Sequence, residues 1–177
     1  MTIRALKKDG DSAAADARRF QDIMKRSIAG ICSGAYGAAT TAAWISDQNP
    51  TFHFSLPQFA FVAEEAGEIV AVGGWSLTDT VDLHPAGDRV IEQPTHARIN
   101  AVYVKPGAEG RGLGRRMMTH LEQNIHHHGR LRDIYLWSTE NAIPFYLALG
   151  YRPGKDQFPE VAKGYPIRVR YMWKTLG

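Results

Sequence analysis

Cysteine is almost missing from this chain. Cys32 stands alone among 177 residues, so no internal disulfide can form, which fits a reducing cytoplasm. No low-pKa surroundings are legible around it, and it reads as a small buried apolar residue. No apolar run approaches the ~20 residues that a membrane-crossing helix needs, so no membrane partner is expected. The opening MTIRALKKDGD lacks the apolar centre of a secretion signal. Charge of one sign is scarce as well. Lys and Arg number 21 against 18 Asp and Glu, and the net +3 is scattered along the chain, so no nucleic-acid partner is expected. Repeats, linkers and low-complexity tracts are lacking, which points to one domain over residues 1–177 with room for a proper core. Metal-ligand spacing is lacking too. His126, His127 and His128 are adjacent on a helix and point in different directions, so no metal is expected.

The chain does carry a strand, a glycine-rich loop and a helix start in succession, from Ala97 to Asn124. Arg98 to Val104 is a β-rich run with Ile99, Val102, Tyr103 and Val104. Lys105 to Gly110 is a turn with Pro106 and Gly107. Gly110-Arg111-Gly112-Leu113-Gly114 then opens a helix, in which Leu113, Met117, Leu121 and Ile125 recur at helical spacing beside Met118. Glycines admit close backbone approach, and the first N–H groups of a helix have no internal partner, so this is an anion site. Arg111, Arg115 and Arg116 add positive charge there. A Walker loop is excluded because Arg115-Arg116, not Lys-Ser/Thr, follow Gly114. The dinucleotide pattern G-x-G-x-x-G fails from Gly110 and from Gly112.

The remaining elements follow from local pattern. Ile3 to Lys7 reads as a strand, and Asp11 or Ser12 can cap the next helix. That helix buries Ala13, Ala17, Phe20, Met24 and Ile28, turns Asp16 outward and stops at Gly30. A weaker helix spans Ser33 or Gly34 to Ser46, with Tyr36, Ala39, Ala43 and Trp44 inward. At this spacing Tyr36 and Trp44 read as core aromatics. After a loop with Pro50 and Pro57, Phe59–Glu64 and Ile69–Leu77 form a hairpin turned at Ala66-Gly67. Gly73-Gly74 marks a bulge, a kink or a close backbone approach. The long irregular segment 78–95 carries Asp79, Asp82, Asp88 and Glu92, which read as solvated surface or as attraction for a cationic amine. Ile134 to Ser138 is a buried strand, followed by a short helix that stops at Gly150. Tyr165 to Lys174 alternates as a strand with one buried face, formed by Ile167, Val169, Tyr171 and Trp173.

The glycine loop resembles the acetyl-CoA loop of the GNAT superfamily, the acyl-CoA-dependent N-acyltransferases, written Q/R-x-x-G-x-G/A. Gly112 and Gly114 match its glycines, while Glu109 departs from the usual Gln or Arg. Thr139-x-x-Ala142-x-x-Phe145-Tyr146-x-x-x-Gly150-Tyr151 resembles the second motif, N-x-x-A-x-x-F-Y-x-x-x-G-F/Y, with Thr139 at the Asn position and Asn141 close by. Together the motifs cover residues 97–151. The resemblance implies an α/β (α+β) GNAT fold: a mixed, mostly antiparallel central sheet of six to seven strands flanked by about four helices. It implies acetyl-CoA as co-substrate, held by Val102, Tyr103, Val104, Glu109, Gly110, Arg111, Gly112, Leu113, Gly114, Arg115, Thr139 and Asn141. It also implies direct attack on the thioester by a primary amine carried by a small molecule or peptide, and two early helices that flank the acceptor groove, which would make Tyr36 and Trp44 substrate walls.

Such a reaction sets three tasks. A lysine-like amine must be neutral, which costs about 4.6 kcal/mol at pH 7 for a pKa near 10.4. Glu64, Glu65, His96 or water could take its proton. The developing oxyanion needs a donor, which the resembled fold supplies from a bulged central strand near Val102 or Tyr103. The thiolate must leave, and Tyr146 occupies the general-acid position of the family. Two other readings stay open, a non-catalytic acyl-CoA sensor and an acyltransferase for a protein N-terminus. The sequence leaves a homodimer open as well.

Overall fold

The computed structural model describes residues 1–10, 12–46, 56–78, 96–128 and 131–177. The Asp11 cap, the Pro50 bend and the carboxylates Asp79, Asp82, Asp88 and Glu92 lie outside the described residues.

Seven strands form one sheet: β1 (Thr2–Ala5), β2 (Phe59–Glu65), β3 (Glu68–Thr78), β4 (His96–Val104), β5 (Asp133–Thr139), β6 (Arg152–Gln157) and β9 (Val169–Thr175). Their order is β1-β2-β3-β4-β5-β9-β6, and β4 with β5 is the parallel pair. The strands β7 (Glu160–Ala162) and β8 (Tyr165–Pro166) form a separate small hairpin. A parallel pair needs a crossover, and the helix α4 (Leu113–His127) supplies it. Its inner face is the expected one: Leu113, Met117, Met118, Leu121 and Ile125 are all buried. They pack with Ala97, Ile99, Ile134 and Leu136 on one side of the sheet. The helix α1 (Ala13–Ser27) covers the other side, where Phe20, Ile23 and Met24 meet Val62, Val72 and Ala101.

The β2–β3 hairpin turns at Ala66 (φ 49°) and Gly67 (φ 81°), both left-handed, which matches a tight two-residue turn. Several expectations change. Ser12 makes no side-chain cap, and Asp16 is buried, not outward. Arg4 reaches across from β1 to hold it, at 2.6 and 3.1 Å. Gly30 does not stop the first helix. The chain passes through a wide π turn, Ile28–Cys32, because Ile28 and Cys32 bury against Trp44, Ile167 and Val169. The next helix breaks at Gly37 (φ 82°) into α2 (Ser33–Tyr36) and α3 (Ala38–Ile45). Thr41 and Trp44 are its buried positions, while Ala39 is exposed. The final strand begins at Val169 rather than Tyr165, and it is covered on both faces, since Met172 is as buried as Tyr171. Its place between β5 and β6 explains this.

Candidate active site

The parallel pair β4–β5 is short. Its register runs only from His96 opposite Asp133 to Ile99 opposite Leu136. Beyond it the strands part, and a cavity of about 470 Å³ opens between them. The parting starts at a bulge. Trp75 faces Ile99 and Gly74 faces Ala101, so Asn100 is the extra residue in β4. Bulge and close approach both occur here. A Cβ on Gly73 would lie 2.6 Å from Met117 Cγ, and one on Gly74 would lie 2.5 Å from Pro57 Cγ. After the bulge, Ala101 to Val104 stay paired to β3 on one edge and line the cavity on the other.

The cavity passes through the seam of the sheet. Val104, Leu113, Ala142, Phe145 and Tyr146 line its α4 side; Ser27, Ile31, Cys32 and Trp137 line the α1 side. The wide turn after α1 presents Ile31 and Cys32, a common placement of π segments.

The glycine loop forms the cavity mouth. Gly112 caps α4 in the left-handed region (φ 78°). The Arg116 amide donates to Gly112 O at 3.0 Å. Among the described residues, no hydrogen bond occupies the amides from Gly110 to Arg115. The Glu109 side chain turns back and accepts from the Gly107 amide at 2.7 Å. That explains how a carboxylate is tolerated where the resembled motif has Gln or Arg. Glu109, Gly110, Gly112, Leu113, Gly114 and Arg115 line the cavity. Arg111 does not, since its guanidinium is bound to Glu65.

Tyr146 on α5 (Ile143–Leu147) is buried, with its ring edge-on to Phe145 and Tyr151. Burial pushes its hydroxyl well above the usual phenol range. Val102, Tyr103, Thr139 and Asn141 join it in the lining. The Tyr103 hydroxyl is also pushed up by burial. Desolvation pushes the Cys32 thiol up to about 11, against a smaller pull from its Thr139 hydrogen bond. Such a thiol is not a nucleophile at neutral pH. Tyr36 and Trp44 are structural: the Tyr36 hydroxyl donates to Arg168 O at 2.6 Å and accepts from the Glu140 amide at 2.7 Å, and Trp44 is core.

None of the three base candidates lines the cavity. Glu64 is bound to Arg4, Glu65 to Arg111, and His96 lies 3.7 Å from Asp133 at the closed end of the β4–β5 pair. Among the described residues no group of three or more His, Cys, Asp or Glu is placed to hold a metal. None of their helices is long and apolar enough to cross a membrane. Sequence reasoning missed Ser27, Ile31 and Trp137 as lining residues. Trp137 sits on the opposite face of β5 from Leu136, which alternation could have shown; Ser27 and Ile31 carry no such signal.

Comparison with known proteins agrees with this geometry. Among curated proteins there is no significant sequence match. Solved structures match over almost the whole chain. A GCN5-related N-acetyltransferase from Rhodopseudomonas palustris superposes with a TM-score of 0.75 at 19% identity, over 99% of this chain and 95% of that one. The yncA protein of Salmonella typhimurium, solved with its cofactor acetyl-CoA, superposes at 0.61 and 19% identity, over 100% and 94%. The paia N-acetyltransferase from Thermoplasma acidophilum, in complex with coenzyme A, gives 0.61 at 14% identity, over 99% of each chain. These likenesses establish the fold, in which a seven-stranded, mostly antiparallel sheet carries helices on both faces. The acetyltransferase (GNAT) family model matches residues 31–151, more than half of the sequence, and the chain therefore belongs to the GNAT acetyltransferase family.

Proposed function

We propose that the chain, acting as one domain over residues 1–177, transfers an acetyl group from acetyl-CoA to a primary amine by direct attack. The observation that carries this reading is the open β4–β5 seam, with free amides at one mouth and Tyr146 in its wall. The amides from Gly110 to Arg115 receive the pyrophosphate, helped by the helix start and by Arg115. Thr139 and Asn141 flank the pantetheine arm. A β4 amide near Val102 or Tyr103 meets the thioester oxygen, a contact typically worth ~2.7–4 kcal/mol at the transition state.

The amine enters from the α1 side, past Ser27, Ile31, Asn100 and Trp137. Its nitrogen attacks the carbonyl carbon, the C–N bond forms and the C–S bond breaks. With Glu64, Glu65 and His96 outside the lining, water takes the amine proton. Even at ordinary pKa values a phenol is about 2 kcal/mol too weak an acid to protonate a thiolate fully. Burial raises Tyr146 further, so it hydrogen-bonds the departing sulfur rather than transferring its proton outright. Calorimetry with acetyl-CoA, followed by thioester consumption with an amine panel, tests the proposal. Binding without turnover on any amine would favour an acyl-CoA sensor; no binding at millimolar levels would end both readings.

A further inference from the structure

We infer that the acceptor is an amine bearing a carboxylate, and that Arg98 on β4 is the residue that selects it. The inference rests on the acetyl-transfer reading and adds the class of acceptor. The fourth strand is central in a seven-stranded sheet, where side chains are normally covered by the layers above and below. Arg98 and Asn100 are nonetheless exposed. Exposure at that depth means that, among the described residues, this part of the sheet face is an open groove.

Alternation fixes which face. Ala97 and Ile99 enter the α4-side core, so Arg98 points to the α1 side, where Ile31, Cys32 and Trp137 end the cavity. Asn100 lines the cavity and Arg98 stands two strand positions beyond it, roughly 6.7 Å along the strand. An acceptor whose nitrogen reaches the seam would lay its next polar group against this guanidinium.

Arginines elsewhere on the sheet are neutralised: Arg170 on β9 and the nearby Arg168 by Asp156, and Arg168 also by Glu140. Among the described residues, no hydrogen bond or ion pair engages the Arg98 side chain. A lone guanidinium in an open groove suits a planar carboxylate, which it binds in two-pronged fashion. It also lowers the pKa of a nearby ammonium, which favours the free base that must attack. Arg98 takes no part in the bonds made and broken.

The test compares phenylalanine, methionine and 4-aminobutyrate with their carboxamides, with rates expressed per free-base amine. The wild type should show kcat/KM about tenfold or more higher for a carboxylate acceptor than for its amide. Arg98→Gln should bring that ratio to about one, and Arg98→Lys should keep part of it. In both variants the KM for acetyl-CoA should stay unchanged, which reports an intact fold. A wild-type ratio near one, a ratio that survives Arg98→Gln, or no turnover of any carboxylate acceptor would each overturn the inference. Neutral amines used as well as acids would leave acetyl transfer standing; loss of acetyl-CoA binding by the wild type would mean that the transfer reading itself is wrong.

Discussion

Phe145 lies over Gly114: the ring Cζ stands 3.2 Å from where a Cβ on Gly114 would be. The two residues belong to the two sequence motifs, one at the start of α4 and the other in α5. Their contact closes the cavity wall between the glycine loop and Tyr146, so the anion end and the chemical end share one rigid joint.

Bulk at Gly114 should therefore split the site. Gly114→Val should cost about 1–3 kcal/mol of stability through overpacking and should weaken acetyl-CoA binding. Adding Phe145→Leu should return part of the stability, because neighbouring changes are not additive. Urea unfolding of the single and double variants reads the coupling. Strict additivity would mean that the ring moves aside at no cost.

Tyr146→Phe removes one hydroxyl and leaves the packing. A hydrogen bond to a developing thiolate is worth about 1.5–3 kcal/mol, so kcat should fall by roughly 10- to 100-fold with acetyl-CoA affinity near normal. Because burial raises this hydroxyl, it stays protonated through alkaline pH. The wild-type rate should rise as the amine loses its proton, with no decline below about pH 10 from Tyr146. Unchanged turnover in the Phe variant would remove the role.

Direct attack also makes a prediction about Cys32. With its thiol pushed up to about 11, it should resist alkylation at pH 7.5 and carry no acetyl group. Cys32→Ala should keep kcat within about tenfold, and initial-rate kinetics should be sequential, not ping-pong. A trapped acetyl-cysteine would overturn the mechanism.

The Arg4–Asp16 pair sets an acid limit on stability. The guanidinium holds the Asp16 carboxyl below its ordinary range. A lowered folded-state pKa gives stability that is present above the unfolded value near 3.9 and is lost as pH falls through the folded value. Arg4→Leu leaves the buried carboxylate without its cation, at a cost on the order of 3 kcal/mol near neutral pH. Since protonation relieves that cost, the gap between wild type and variant should narrow towards pH 4. Thermal melts across pH 4–8 check this, and a gap that widens in acid would refute it.

The amino-acid sequence alone specified what depends on neighbours along the chain. The inner face of α4 follows from the recurrence of Leu113, Met117, Leu121 and Ile125. The β2–β3 hairpin follows from Ala66-Gly67. Gly112, Gly114, Thr139, Asn141 and Tyr146 were legible through the resemblance of two short motifs to those of the family, and all of them line the cavity. Tertiary structure decided the rest. Asn100 is a bulge only because β3 pairs past it, and the seam exists only because β4 and β5 part after Ile99. The turn of Arg111 towards Glu65, the burial of Asp16 under Arg4 and the exposure of Arg98 each depend on segments distant in sequence. Periodicity reports which face a residue occupies on its own element. Whether that face is covered, paired or left open is set by the other elements packed against it.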